Sequence, residues 1–71
     1  MDAFTRGRKL AAQLVAMRID NDRDYRAWNK RVDSTLAELR AAWCNPADQV
    51  EAANVRADLI AAWDAAAHYT A

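Results

Sequence analysis

The chain has 71 residues, with 10 Lys+Arg against 10 Asp+Glu, so its formal net charge is zero. Such a length makes one domain, and a single Cys excludes a disulfide framework and a multi-cysteine zinc site. Neutrality excludes a histone-like polycation and an acidic tail.

No apolar run approaches the roughly 20 residues that cross a bilayer, and no signal peptide precedes Arg6, Arg8 and Lys9. A cytoplasmic setting with no membrane contact is therefore expected. Ala supplies 18 residues, while Gly and Pro occur once each. Ala is the best helix former, and Leu, Arg, Lys, Gln, Glu and Met follow it. β-Branched residues are scattered rather than clustered as strands require. The expected fold class is all-α: a small three-helix bundle or helical hairpin, forming a single domain over 1–71. Helices are expected at about 3–19, 22–43 and 46–68.

The first segment carries Leu10, Leu14 and Met17 as its seam, with Phe4, Ala11 and Val15 broadening it. The junction Asp20-Asn21-Asp22-Arg23-Asp24 combines poor helix formers with Asp at a helix start and Arg18 at a helix end. That pattern reads as a stop followed by a cap. The seam also continues in phase across it, which would make one helix of about 60 Å from 3 to 43. The break is the reading adopted here, with the continuous helix as its alternative.

The second segment is the clearest. Tyr25, Trp28, Val32, Leu36, Leu39 and Trp43 fall on one arc at 100° per residue, and Thr35 extends it. Arg26, Lys30, Arg31, Asp33, Glu38 and Arg40 occupy the other side. Asn45-Pro46 ends this helix and opens the third, because Pro disfavours helix before it and suits the first helical position. Asp48 then lies in the first turn, where the helix dipole favours a negative charge. The third stripe is Ala52, Val55, Leu59, Ala62/Trp63 and Ala66, flanked by Ile60, with Val50 and Tyr69 outside it.

Charge is segregated although its sum is zero. Residues 1–19 carry +3, residues 20–44 are balanced, and residues 45–71 carry −3. Helices or chains could pair through that complementarity, although exposed pairs contribute only about 0–1 kcal/mol each.

The candidate sites are few. Asp20, Asp22 and Asp24 alternate as an EF-hand loop begins, but Tyr25 and Arg31 stand where Gly and Glu are needed, so a polar junction is expected. Arg6-Gly7-Arg8-Lys9 contains the Arg-Gly-Arg core of a minor-groove hook, without flanking prolines. A basic helix start is the plainer reading. A helix-turn-helix reading at Cys44-Asn45-Pro46 would present Asp48, Gln49 and Glu51 to DNA, and phosphates repel such a surface. Tyr25 and Trp28 beside Arg26, Lys30 and Arg31 superficially resemble a stacking platform. Their spacing instead separates core from solvent face. His68 and Cys44 are the lone His and lone Cys, with nothing to assemble them into a catalytic unit. Neither an enzyme activity nor a cofactor or metal is expected.

Leu, Ile, Val and Phe together number 12, about 17% of the chain, which is sparse for a domain folding alone. Below about 80 residues one core seldom stabilises by more than a few kcal/mol without help. Three Trp residues point toward self-association, since Trp is enriched at interface centres. The expected function is that of a non-enzymatic helical interaction or regulatory protein, a homodimer or a binder of another protein. Its expected anchors are Trp28, Trp43, Leu59, Ile60 and Trp63. By type alone, such chains suggest a phage, plasmid or bacterial accessory operon. The alternative is a DNA-associated regulator using Arg6, Arg8, Lys9 and Arg18.

Overall fold

The computed structural model describes residues 2–41 and 46–67. Three helices, and no strand among the described residues, run in chain order as α1 (Ala3–Val15), α2 (Asp22–Ala41) and α3 (Pro46–Ala66). Together they form a small helical bundle, and the expected fold class holds. The first two helices are separate, as the polar junction suggested. Trp43, Cys44, Asn45, His68 and Tyr69, with the expected ends of the second and third helices, lie outside the described residues.

Each helix start has a local chemical cause. Asp2 caps α1 by accepting the Thr5 backbone N–H at 2.8 Å. That bond holds the Asp2 carboxyl below its ordinary pKa, because the bonded form is the ionised one. Asn21 caps α2: its Oδ1 accepts the Asp24 N–H at 2.8 Å, while its Nδ2 donates to the Asp24 carboxylate at 3.0 Å. Both bonds are made by the Asn21 side chain, which satisfies one free N–H of the first turn and holds the Asp24 carboxylate beside it. Asp48 lies in the first turn of α3, where an acid is favoured.

α1 ends at Val15, four residues short of the expected 19. The connector 16–21 is not a passive link. Ile19 is buried in the core, and its backbone N–H donates to the Ala66 carbonyl at 2.9 Å. One loop residue thus fills the end of the bundle and satisfies an orphan carbonyl in the last turn of α3. Full burial of such a side chain is worth about 1.5–3 kcal/mol.

Contacts fix the topology. Arg6 of α1 bonds Glu38 near the far end of α2, so those helices run antiparallel. Tyr25 at the start of α2 packs on Trp63 near the end of α3, with ring centroids 5.2 Å apart, so these also run antiparallel. α1 and α3 are therefore parallel, with Arg8 bonded to Glu51 at one end and Ile19 to Ala66 at the other. The bundle goes up, down, up.

The core is built from Leu10, Ala11, Leu14, Ile19, Val32, Leu39, Val55, Leu59, Ala62 and Ala66. Met17, Phe4, Tyr25, Trp28, Leu36 and Trp63 pack against it half-buried. Among the described residues the expected seams are present, with one exception. Val15 does not broaden the α1 seam, since it is 74% exposed. Its neighbours across the α1–α3 groove are Ala61, Ala62 and Ala65, whose methyl groups are too short to cover it.

Gly7 explains how closely the helices approach. A Cβ at this position would stand 2.5 Å from Val55 Cγ1 and 3.4 Å from Leu39 Cδ1. The residue is buried where all three helices meet, and its φ is not positive. Here Gly serves close packing and not a turn, which outweighs its cost of about 1 kcal/mol within a helix.

Candidate functional site

The Arg-Gly-Arg segment is a helical clasp. Gly7 faces inward, while Arg6 and Arg8 leave α1 on opposite sides. Arg6 donates through Nε and Nη2 to the Glu38 carboxylate of α2. Arg8 Nη2 donates to Glu51 Oε1 of α3 at 2.7 Å. Both pairs are about half exposed, so each contributes little energy beyond fixing how the helices sit. The expected complementarity between the basic first segment and the acidic third is thus realised within the chain, by Arg8 and Glu51. Lys9 points toward the α1–α2 side, and Arg18 belongs to the connector. The four cations Arg6, Arg8, Lys9 and Arg18 do not converge on one surface.

Asp20, Asp22 and Asp24 are exposed, and Asp24 is engaged by Asn21. No group of three or more His, Cys, Asp or Glu side chains is placed to hold a metal ion among the described residues. Nor is any helix among them long and apolar enough to cross a membrane.

The expected aromatic and apolar anchors separate in the fold. Leu59 is completely buried, so it belongs to the core and not to a surface. Trp63 is half-buried against Tyr25. Trp28 is half-buried, and the Arg31 guanidinium lies 4.5 Å from its ring centroid. This contact departs from the expected separation of aromatic and charged faces: Arg31 reaches back one turn to cover the exposed side of the indole. Cation–π attraction and the apolar stem of Arg favour that arrangement. Trp43 lies outside the described residues.

Ile60 is different. It is 37% exposed and belongs to a second apolar row on α3. Val50, Ala53, Ala57 and Ile60 repeat at intervals of three, four and three residues, with Ala61 alongside. At 3.6 residues per turn this row runs on the side of α3 opposite its core stripe. All five residues are exposed, Val50 at 63%. Arg56 and Asn54 flank the row on either side. The sequence signal was available, because 50, 53, 57 and 60 have seam spacing. It was masked by the small size of Ala and by the stronger core stripe on the same helix.

Among the described residues, shallow grooves lie between the helices. The α1–α3 groove, about 460 Å³, is lined by Ala11, Ala12, Val15, Ala61, Ala62 and Ala65, with Asp58 at its edge. The α2–α3 groove, about 280 Å³, has Leu36, Ala37 and Ile60 between Asp33, Arg40 and Arg56. The α1–α2 groove, about 270 Å³, is lined by Arg6, Lys9, Leu10, Gln13, Arg31 and Thr35. No protein-family profile matches the chain, and no curated protein or solved structure is significantly similar to it.

Proposed function

We propose that this chain is a non-enzymatic helical interaction protein that works in the cytoplasm as a homodimer, paired through the outer face of α3. The observation that carries this reading is the second apolar row on α3, Val50, Ala53, Ala57 and Ile60, exposed on a helix already packed through its other side. A helix apolar on both sides is normally covered on both sides.

The spacing favours a second copy as the occupant. Intervals of three, four and three residues read the same in both directions. In an antiparallel pair, Val50 of one copy therefore meets Ile60 of the other, and Ala53 meets Ala57. Large residues stand at the ends and small ones in the middle, so the two backbones can approach closely. Such a self-complementary patch is what a two-fold interface requires. Pairing also gives this sparse core the added burial that small domains commonly draw from association.

In an antiparallel two-fold pair each flank meets its own counterpart, which brings Arg56 near the partner's Arg56. Apolar contact then drives association against like-charge repulsion. Added salt screens the repulsion and should strengthen the dimer.

Sedimentation equilibrium across a hundredfold range of concentration tests the proposal. Wild type should shift from monomer to dimer, and more readily at higher salt. Ala57→Arg should remain monomeric with its helical content intact. A wild-type monomer throughout, or an Ala57→Arg dimer of unchanged affinity, would remove the reading.

A further inference from the structure

We infer that the groove between α1 and α2 is a binding site for a phosphoryl dianion, such as inorganic phosphate or a terminal phosphate monoester. Its floor is Leu10, and its polar lining consists of Arg6, Lys9, Gln13, Arg31 and Thr35, with no carboxylate among them. Of the lining cations, Arg6 is bonded to the Glu38 carboxylate. Lys9 and Arg31 take part in neither inter-helix ion pair, and both are exposed. The charges of Arg6, Lys9 and Arg31, less that of Glu38, leave the groove at +2. A phosphate monoester near neutral pH carries about −1.5 to −2.

Donor geometry supports the same ligand. Lys9 supplies an ammonium, Gln13 an amide N–H₂ and Arg31 a planar guanidinium fork. Gln13 stands one turn from Lys9 on α1, so both project to the same side. Arg31 is held in place by the Trp28 ring beneath it, so less side-chain freedom is lost when an anion binds. The Thr35 hydroxyl is engaged with the Arg31 carbonyl at 2.9 Å and serves to finish the wall, not to contact the ligand. The rest of the charged surface is mixed: Arg23 and Arg26 alternate with Asp22 and Asp24 along α2. A dianion is therefore favoured here over a long phosphodiester, which needs a continuous run of cations.

The test is a two-dimensional amide and side-chain NMR titration of the full chain with inorganic phosphate, against sodium chloride at matched ionic strength. Saturable shifts should centre on Lys9, Gln13 and Arg31, and affinity should rise between pH 5.5 and 7.5 as phosphate gains its second charge. Lys9→Gln and Arg31→Gln should each weaken binding by about tenfold or more. Arg40→Gln, on the far side of α2, should leave it unchanged, as should the dimer-breaking Ala57→Arg. Equal shifts with chloride, or wild-type affinity in both groove variants, would overturn the inference. So would tighter binding of a single-stranded oligonucleotide that moves Arg18, Arg23 and Arg26 rather than the groove.

Discussion

Helices α2 and α3 are nearly equal in length, 20 and 21 residues, and both pack on the same core. They turn very different surfaces outward. α2 presents Arg23, Arg26, Lys30, Asp33 and Arg40 to solvent, a finished exterior. α3 presents Val50, Ala53, Ala57, Ile60 and Ala61. The same Ala-rich composition thus conceals two kinds of helix: one with a single apolar stripe, and one with two. A domain short of core residues has placed apolar side chains where its own fold does not cover them.

The sharpest way to separate the two stripes of α3 is to truncate one residue from each. Leu59→Ala removes a completely buried side chain and should cost about 2–5 kcal/mol. Chemical denaturation of so small a domain should then show it largely unfolded. Ile60→Ala, one residue along and 37% exposed, should cost the dilute monomer about 1 kcal/mol, clearly less than Leu59→Ala. It should also weaken the dimer.

Gly7→Ala probes whether the core stripe depends on close approach. Helix propensity favours the change by about 1 kcal/mol, while forcing a methyl against Val55 and Leu39 costs about 1–3 kcal/mol. The expected net is a loss of about 1 kcal/mol in denaturant midpoint measurements. In a Val55→Ala background the sign should reverse, because the new methyl then fills vacated space.

Asn21→Ala tests the start of α2. Loss of the cap on Asp24 should cost about 1 kcal/mol, read by thermal unfolding, with hydrogen exchange quickening first in residues 22–25. The smallest effect belongs to Asp2, fully exposed at the start of α1. Its folded pKa is depressed by the Thr5 bond, so its contribution is complete above the ordinary Asp value. It is lost as pH falls through the lowered folded value. Acidification should therefore fray α1 from its start while leaving α3 protected, and Asp2→Asn should remove that pH dependence.

Much of this fold was legible from residue spacing. Val32, Leu39, Val55 and Leu59 announce their burial through a 3.6-residue period, and the polar run 20–24 and Pro46 mark helix starts, although which residue of that run caps α2 is not evident from it. What was not legible required the third dimension. Ile19 sits outside any helix, and only its bond to Ala66, far away in sequence, shows that it closes the bundle. The sequence places Gly7 in a basic helix start, but nothing local reveals Val55 and Leu39 packed against it. Lys9, Gln13 and Arg31 share a groove only after α1 and α2 fold antiparallel. Leu59 fits two roles in the sequence, a member of the core stripe and an interface anchor, and only the fold, which buries it completely, assigns it to the core.

The claim that α3 carries a second packing face is tested most directly by isotope-filtered NMR on a one-to-one mixture of labelled and unlabelled chains. Intermolecular contacts are expected between the methyl groups of Val50 in one copy and Ile60 in the other, and between Ala53 and Ala57. A dimer whose intermolecular contacts avoid these four residues, or no intermolecular contact at millimolar concentration, would contradict it.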